Sequence, residues 1–311
     1  MNILKTKLRV AIKTYREKGL IALIRKIIHF LTQPRLRWED FLWMLFRLKT
    51  IDNKIIATIH GQKMYLNPND FGISKELAIY KTHEPLATKL LKNLLREGMT
   101  VVDVGANIGY YVLVESQIVG SKGKIIAIEP QQENVKFLRL NVEKNHLQNV
   151  RIIEAAIGDS CRQEKLYVNK RASNIHSLVP FHNNESQDEW DVQEVKVYSI
   201  DALTEELNSP IDFIRMDIEG YELNVIKGMG KTLKRHRSSL MIELHYDMLG
   251  RSGVIELLNI LKQNEYRVKY ISDRDKDFAW IKNKKIITTL NMDLLAKEKT
   301  FRVATVFFEK I

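Results

Sequence analysis

The sequence predicts an α/β protein, a doubly wound sheet with helices on both faces, carrying a basic helical extension at its N-terminus. Three observations predict it. After residue 100 five apolar runs recur, "TVVDVG", "KIIAIEP", "VRIIEAAIG", "DFIRMDIEG" and "SLMIELH". Helix-like polar spacers separate several of them, and strands covered on both faces read as continuous apolar runs of this kind. Positive charge is concentrated at one end: residues 1–50 hold 12 Lys/Arg against 3 Asp/Glu, and the remaining 261 hold 37 against 35.

Composition excludes several classes. A chain of 311 residues with 45% hydrophobic content builds a real core, so disorder of the whole chain is excluded. The near-balance of charge beyond residue 50 argues against a nucleic-acid groove across the main domain, where phosphate neutralisation needs a basic face. One cysteine, Cys161, excludes an internal disulfide framework and suits a reducing compartment, so a cytoplasmic location is expected. The longest apolar stretch, Leu20–Leu31, is interrupted by Arg25 and Lys26. It falls short of the roughly 20 apolar residues that a spanning helix needs.

Taken in order, residues 3–31 repeat apolar positions at three and four, as in "LIALIRKIIHFL", and predict an amphipathic helix. Pro34 breaks it, and "WEDFLWMLFRL" predicts a second. Basic and apolar faces together suit packing on the main domain or a peripheral contact with an anionic membrane. Residues 51–67 predict a hairpin turning at His60-Gly61. A helix follows from Ser74 to Leu95, with Pro85 marking a boundary inside it. The five runs then supply the sheet, with a hairpin of "KLYVNK" and "EVKVYSI" between the third and fourth and a loop at 171–190. "YRVKYIS" and "FRVATVFFEK" add two further strands. Three segments result: an extension (1–50), a hairpin and helical lead-in (51–96) and the α/β domain (97–311).

In such sheets ligands sit outside the carboxyl ends of the strands, near the switch point. "VVDVGANIGYY" lies at the first of those ends. Gly105 and Gly109 let the backbone turn sharply and approach a ligand, and the following helix presents unpaired N–H groups. As a dinucleotide fingerprint the loop is poor, because Asn107 and Val112 stand where glycines are needed. Glu129 ends the second run, 24 residues after Gly105, where a carboxylate accepts both hydroxyls of a ribose.

Together "VVDVGANIGYY", "IIAIEPQQENVKFLRLNVEKN", "AAIGD" and "DFIRMDIEGYELNVIKG" resemble the FkbM-type family of S-adenosylmethionine-dependent methyltransferases, over roughly residues 76–245. "GISKELAIYKTHEP" resembles that family's lead-in and "MIELH" its fifth strand. The resemblance implies a seven-stranded Rossmann-like methyltransferase sheet, S-adenosyl-L-methionine as methyl donor, and usually a hydroxyl oxygen as acceptor. Carried over by position, Asp103, Gly105, Asn107 and Gly109 match the cofactor loop, and Glu129 the ribose-binding acid. The adenine contact falls at Ala156, with Asp159 as the alternative. Asp217 matches the acid beside the methionine end, over which Glu84 and the preceding helix are expected to close.

Methyl transfer needs acceptor atom, methyl carbon and sulfur in line, so positioning supplies much of the rate. An alcohol acceptor needs a base as attack proceeds. The candidates at the strand ends are Asp217, Glu219, Glu243 and His245. Asp217 is the residue on which two arguments converge, and His245 is the natural base because imidazole titrates near neutrality. No metal is called from the sequence. The same four residues would offer a divalent ion hard oxygens and one nitrogen, though strand alternation complicates that reading. Glu219 also suits capping of the following helix. The 171–190 loop, with His176, Ser177, His182 and Trp190, reads as a solvated insertion or an acceptor lid. The expected function is O-methylation of a glycan, lipid-linked sugar or small metabolite. The alternatives are RNA methylation and a non-catalytic binding protein that keeps the fold.

Overall fold

The computed structural model describes residues 38–170, 172–173, 176–178, 190–207, 209–278, 286–288, 292–296 and 301–311. The helix expected over residues 3–31, the Pro34 break, most of the 171–190 loop and His182 lie outside the described residues. Among the described residues no helix is long and apolar enough to cross a membrane.

The second expected helix forms at Trp38–Leu48, with Glu39 and Asp40 in its first turn and Arg47 in its last, the order the helix dipole favours. β1 (Ile55–Ile59) and β2 (Gln62–Leu66) make the expected hairpin. It turns at His60 and Gly61, both at positive φ (48° and 84°), the turn whose twist matches the strands. The next helix is two, Ile73–Tyr80 and Pro85–Leu94, divided where Pro85 predicted. Pro85 opens the second, where its missing N–H costs nothing. The Asp277 carboxylate accepts the N–H groups of Leu86 (2.9 Å) and Ala87 (2.8 Å) across 190 residues of chain.

The remaining strands are β3 (Thr100–Val104), β4 (Lys124–Ile128), β5 (Val150–Ile153), β6 (Ala156–Gly158), β7 (Arg162–Asn169), β8 (His176–Ser177), β9 (Trp190–Ser199), β10 (Phe213–Met216), β11 (Ser239–His245), β12 (Tyr266–Asp273), β13 (Ile286–Ile287) and β14 (Val303–Lys310). The main sheet runs β13-β12-β14-β11-β10-β3-β4-β5. β5, β4, β3, β10 and β11 are parallel, and β14 enters antiparallel to both its neighbours. The predicted doubly wound class holds, with one correction to the count. The sheet has eight strands, because the two-residue β13 extends the edge. The third run also divides. Ala155 donates back to Ile153 O (3.1 Å), the chain turns, and β6 joins a second sheet, β6-β9-β7-β8, that contains the expected hairpin.

Each face of the main sheet has its own core. Val101, Ile125, Phe213 and Phe307 pack beneath the helices of the lead-in and the helix Tyr110–Val119, and the β1–β2 hairpin shares that core. Val102, Ile214, Ile242 and Phe308 pack on the other face with the helix Tyr246–Gln263. Alternate residues of each strand therefore feed opposite cores, which is why the runs are apolar throughout.

Candidate active site

The chain leaves β3 toward β4 on one side, while β10, the neighbour on the other side, leads to β11. The carboxyl ends of β3 and β10 therefore border the switch-point crevice. It is a cleft enclosing about 830 Å³, open mouth included, floored by Gly105, Asn107, Glu129, Arg215, Asp217 and Glu219.

Gly105 sits at φ 82°, and a Cβ there would run into the carbonyl oxygen of Asp217. Any side chain would push the ends of β3 and β10 apart. Asn107 holds a left-handed φ of 51°, which its short amide tolerates. Its Oδ1 accepts the Ile108 N–H (2.7 Å), and its Nδ2 donates to Ser173 O (2.7 Å). Asn134 Nδ2 donates to the same carbonyl (2.9 Å). Ser173 is fixed from behind by Asp70, whose carboxylate accepts its N–H (2.9 Å) and Oγ–H (2.8 Å) together with the N–H groups of Gly72 and Ser74. Nothing in the local sequence links Asp70 to Ser173, and sequence reasoning missed the pair.

Glu129 is buried at the cleft wall. Its carboxylate accepts the Asn107 N–H (2.8 Å), the Gln131 N–H (3.0 Å) and the Asn134 amide (3.3 Å). Burial pushes it up to about 7 in spite of those donors. Glu129 lines the cleft and keeps acceptor capacity beyond those three bonds, as ribose binding requires. An ionised carboxylate is the stronger acceptor, and the group ionises only as pH rises through about 7. Affinity for S-adenosylhomocysteine is therefore expected to rise between pH 6 and pH 8. Glu129→Ala is expected to weaken it about 10- to 100-fold at pH 8, the scale of one or two charge-assisted bonds. Calorimetric titrations of both proteins across that range check this, and a variant with undiminished affinity refutes the ribose assignment.

Beside Gly105 stands a residue the sequence reading passed over. Arg215 is a guanidinium inside the apolar run "DFIRMDIEG", and that placement was the available signal. It donates to Asp103 Oδ1 (2.8 Å), Gly105 O (3.2 Å) and Asp217 Oδ2 (2.9 Å), and lies 4.0 Å from the centre of the Tyr111 ring. Asp103 is thereby an internal partner and not a wall of the cleft. Burial raises its carboxyl, and Arg215 pulls it back.

A second polar cluster lies behind Asp217. His245 Nδ1 pairs with Glu222 Oε1 (2.8 Å), and its Nε2 faces Glu219 Oε2 (3.3 Å) and Glu243 Oε1 (3.8 Å). Burial alone would favour a neutral ring, but Glu219 and Glu222 outweigh it and hold His245 well above its ordinary value. Burial pushes Glu219 up to about 7, against the pull of His245. Asp217, Glu243 and His245 bring ligand atoms within 4.8 Å of one another. Glu243 and His245 are two apart on β11 and so share a face, which removes the difficulty expected from alternation.

The structure thus divides the predicted residues. Gly105, Asn107, Glu129, Ala156 and Asp217 line the cleft. Asp103, Gly109, Asp159, Glu84 and His245 do not. Gly109, at φ 93°, starts the helix Tyr110–Val119 and packs where a Cβ would crowd Leu138 (2.7 Å). Asp159 turns to Arg162 (2.6 Å), so of the two adenine candidates Ala156 is the one on the cleft. It shares an apolar slot with Ile128, Ala155, Ile157 and Leu166 that fits a flat base. Glu84 accepts from Tyr111 OH (2.7 Å) and pairs with Arg274 (2.6 Å), so it braces the wall without facing the ligand. The near-neutral base expected at His245 differs in both place and charge: the ring is buried and does not line the cleft, and Glu219 and Glu222 hold its pKa well above the usual imidazole value. Of the described loop residues, Ser173, His176, Ser177 and Leu178 line the cleft. Trp190 opens β9 away from it.

Comparison with known proteins places the same segment. The family model for the methyltransferase FkbM domain matches residues 103–268, more than half of the chain. Curated relatives match over shorter stretches. A protein-L-isoaspartate O-methyltransferase of Methanothrix thermoacetophila is 39% identical over 59 residues, 19% of this chain and 28% of that protein. A "probable cobalt-precorrin-6B C(15)-methyltransferase (decarboxylating)" of Sulfolobus acidocaldarius is 37% identical over 87 residues, 28% of this chain and 45% of that protein. The chain thus spans less than half the length of either. Among solved structures, the methyltransferase FkbM of Methylobacillus flagellatus KT is 18% identical and covers 92% of this chain and 59% of its own, with a TM-score of 0.45. An rRNA methylase of Streptococcus thermophilus is 15% identical and covers 73% and 95%, with a TM-score of 0.40.

Proposed function

The chain belongs to the methyltransferase FkbM domain family, and from that premise we propose that it transfers the methyl group of S-adenosylmethionine to a hydroxyl oxygen of a glycan, lipid-linked sugar or small metabolite. Methyl transfer from S-adenosylmethionine follows from the family; the oxygen acceptor is the proposal. The observation that carries it is the pair of carboxylates, Asp217 and Glu219, at one end of the cleft. A hydroxyl is a weak nucleophile until a base takes its proton, and carboxylates that line the cleft suit that task. They disfavour a polyanionic RNA, because Arg215, the guanidinium in the cleft floor, already serves Asp103 and Asp217.

The residues present fit the cofactor. The Asn107 loop lines the cleft and opens onto the start of the helix Tyr110–Val119. Glu129 would take the ribose hydroxyls and the Ala156 slot the adenine, with Asp217 beside the methionine end. When bound, S-adenosylmethionine supplies an electrophilic methyl on a positively charged sulfur. Asp70 and Ser173 hold the Asn107 loop in shape, and Arg215 fixes the angle of Asp217. Asp217 and Glu219 present the negative charge that accepts a hydroxyl proton.

The test is transfer of tritiated methyl from S-adenosylmethionine into extract of the native cells with the gene deleted. A methyl ether survives mild alkali, whereas a methyl ester releases methanol. Alkali-stable label in carbohydrate, lipid or small-molecule fractions is expected. Label in protein or RNA, or label lost to alkali, overturns the reading.

A further inference from the structure

We propose that Asp217, Glu219, Glu243 and His245 form a binding site for one hard divalent cation, of the Mg²⁺ or Mn²⁺ class, just behind the cleft wall that Asp217 and Glu219 form. The ligand atoms of Asp217, Glu243 and His245 lie within 4.8 Å of one another. Opposite ligands of an octahedral ion at about 2.1 Å stand about 4.2 Å apart, so small side-chain rotations close the set. The imidazole is already oriented. Its Nδ1 is engaged by buried Glu222 (2.8 Å), which leaves Nε2, facing Glu219 (3.3 Å) and Glu243 (3.8 Å), as the nitrogen that takes the ion on releasing its proton to solvent. A carboxylate behind the far ring nitrogen is the support that metal-binding histidines use.

Charge gives an independent argument. Asp217, Glu219, Glu222 and Glu243 share one imidazole and the edges of two guanidiniums. Those guanidiniums also serve other acids, Arg215 holding Asp103 and Arg274 holding Glu84. Glu222 Oε2 is buried with no hydrogen-bond partner. Buried carboxylates in excess of their cations are costly, and a divalent ion cancels that excess. Asp217 and Glu219 line the cleft, so the ion has a route in. Carboxylates with one nitrogen and no thiolate select a hard ion over copper or a structural zinc. Resting on the hydroxyl-acceptor reading, an ion beside Asp217 would draw the acceptor oxygen and lower its pKa.

The experiment titrates chelator-stripped full-length protein with Mn²⁺ and follows the free ion by electron paramagnetic resonance. One ion per chain is expected. His245→Ala and Glu243→Gln should each weaken binding at least ~10-fold, and Glu222→Gln about 10-fold. Calorimetry with S-adenosylhomocysteine establishes that each variant is folded. If the wild type leaves Mn²⁺ free at about millimolar concentration, or if folded His245→Ala and Glu243→Gln bind it as the wild type does, the site is not a metal site and His245 simply holds a proton. The readout needs no acceptor. A chain that binds Mn²⁺ here but labels RNA sinks the hydroxyl reading and leaves the metal site standing.

Discussion

Replacing Arg215 with methionine is expected to cost about 3–5 kcal/mol of folding stability, the usual result of removing one partner from a buried charge pair. Three bonds and a ring contact are lost together, but the larger cost is what remains. Asp103 is fully buried and one of its oxygens, Oδ2, already lacks a hydrogen-bond partner. Without Arg215 the other is stripped as well. Glu115, near Asp103 in the same interior, has both carboxyl oxygens unpartnered, and burial holds it well above the usual carboxylate range. Among the described residues Arg215 is the cation paired with Asp103. Urea unfolding of the single variant and of Arg215→Met with Asp103→Asn decides the cause. If the uncompensated charge is the cost, the double variant should recover much of the loss, since a neutral amide costs less to bury than an orphaned carboxylate. A single variant within about 1 kcal/mol of wild type removes Arg215 from the centre of the site.

Arg215 also shows where sequence reasoning reached and where it stopped. The five runs were legible because a strand covered on both faces leaves no polar period, and the observed cores fill both faces of β3, β4, β10 and β11. The Gly105 turn and Glu129 were legible because each sits at a strand end, a position the sequence marks. Asp70 with Ser173, Asp277 with Leu86, and Glu222 with His245 were not legible. Their partners lie 103, 191 and 23 residues away, and only the assembled sheet brings them together. The same limit misplaced His245. Its ordinary pKa argued for a base, whereas its real charge is set by Glu219 and Glu222, which arrive from the segment after β10. β6 was read into the run before it because the Ile153–Ala155 turn leaves no glycine or proline to mark it.

Asp217→Asn is expected to lower methyl transfer about 10²–10³-fold, while affinity for S-adenosylhomocysteine stays within ~3-fold of wild type. The amide keeps the shape of the side chain and still accepts a bond from Arg215, so the switch-point crevice should survive. Only the charge goes. Asp217 Oδ2 is tied to Arg215 (2.9 Å), and its main-chain carbonyl seats Gly105, so its position is dictated by both strands of the switch point. A carboxylate so tightly placed at the cleft can present its charge without reorganising, which is where electrostatic assistance is largest. Asp217→Ala is a poorer probe, because it also frees Arg215. The decisive comparison is label transfer by wild type and Asp217→Asn into the same deleted-gene extract, with binding measured in parallel. Unchanged binding with lost transfer assigns Asp217 to the chemical step. Lost binding assigns it to holding the cofactor, and transfer within about threefold of wild type removes it from the reaction altogether.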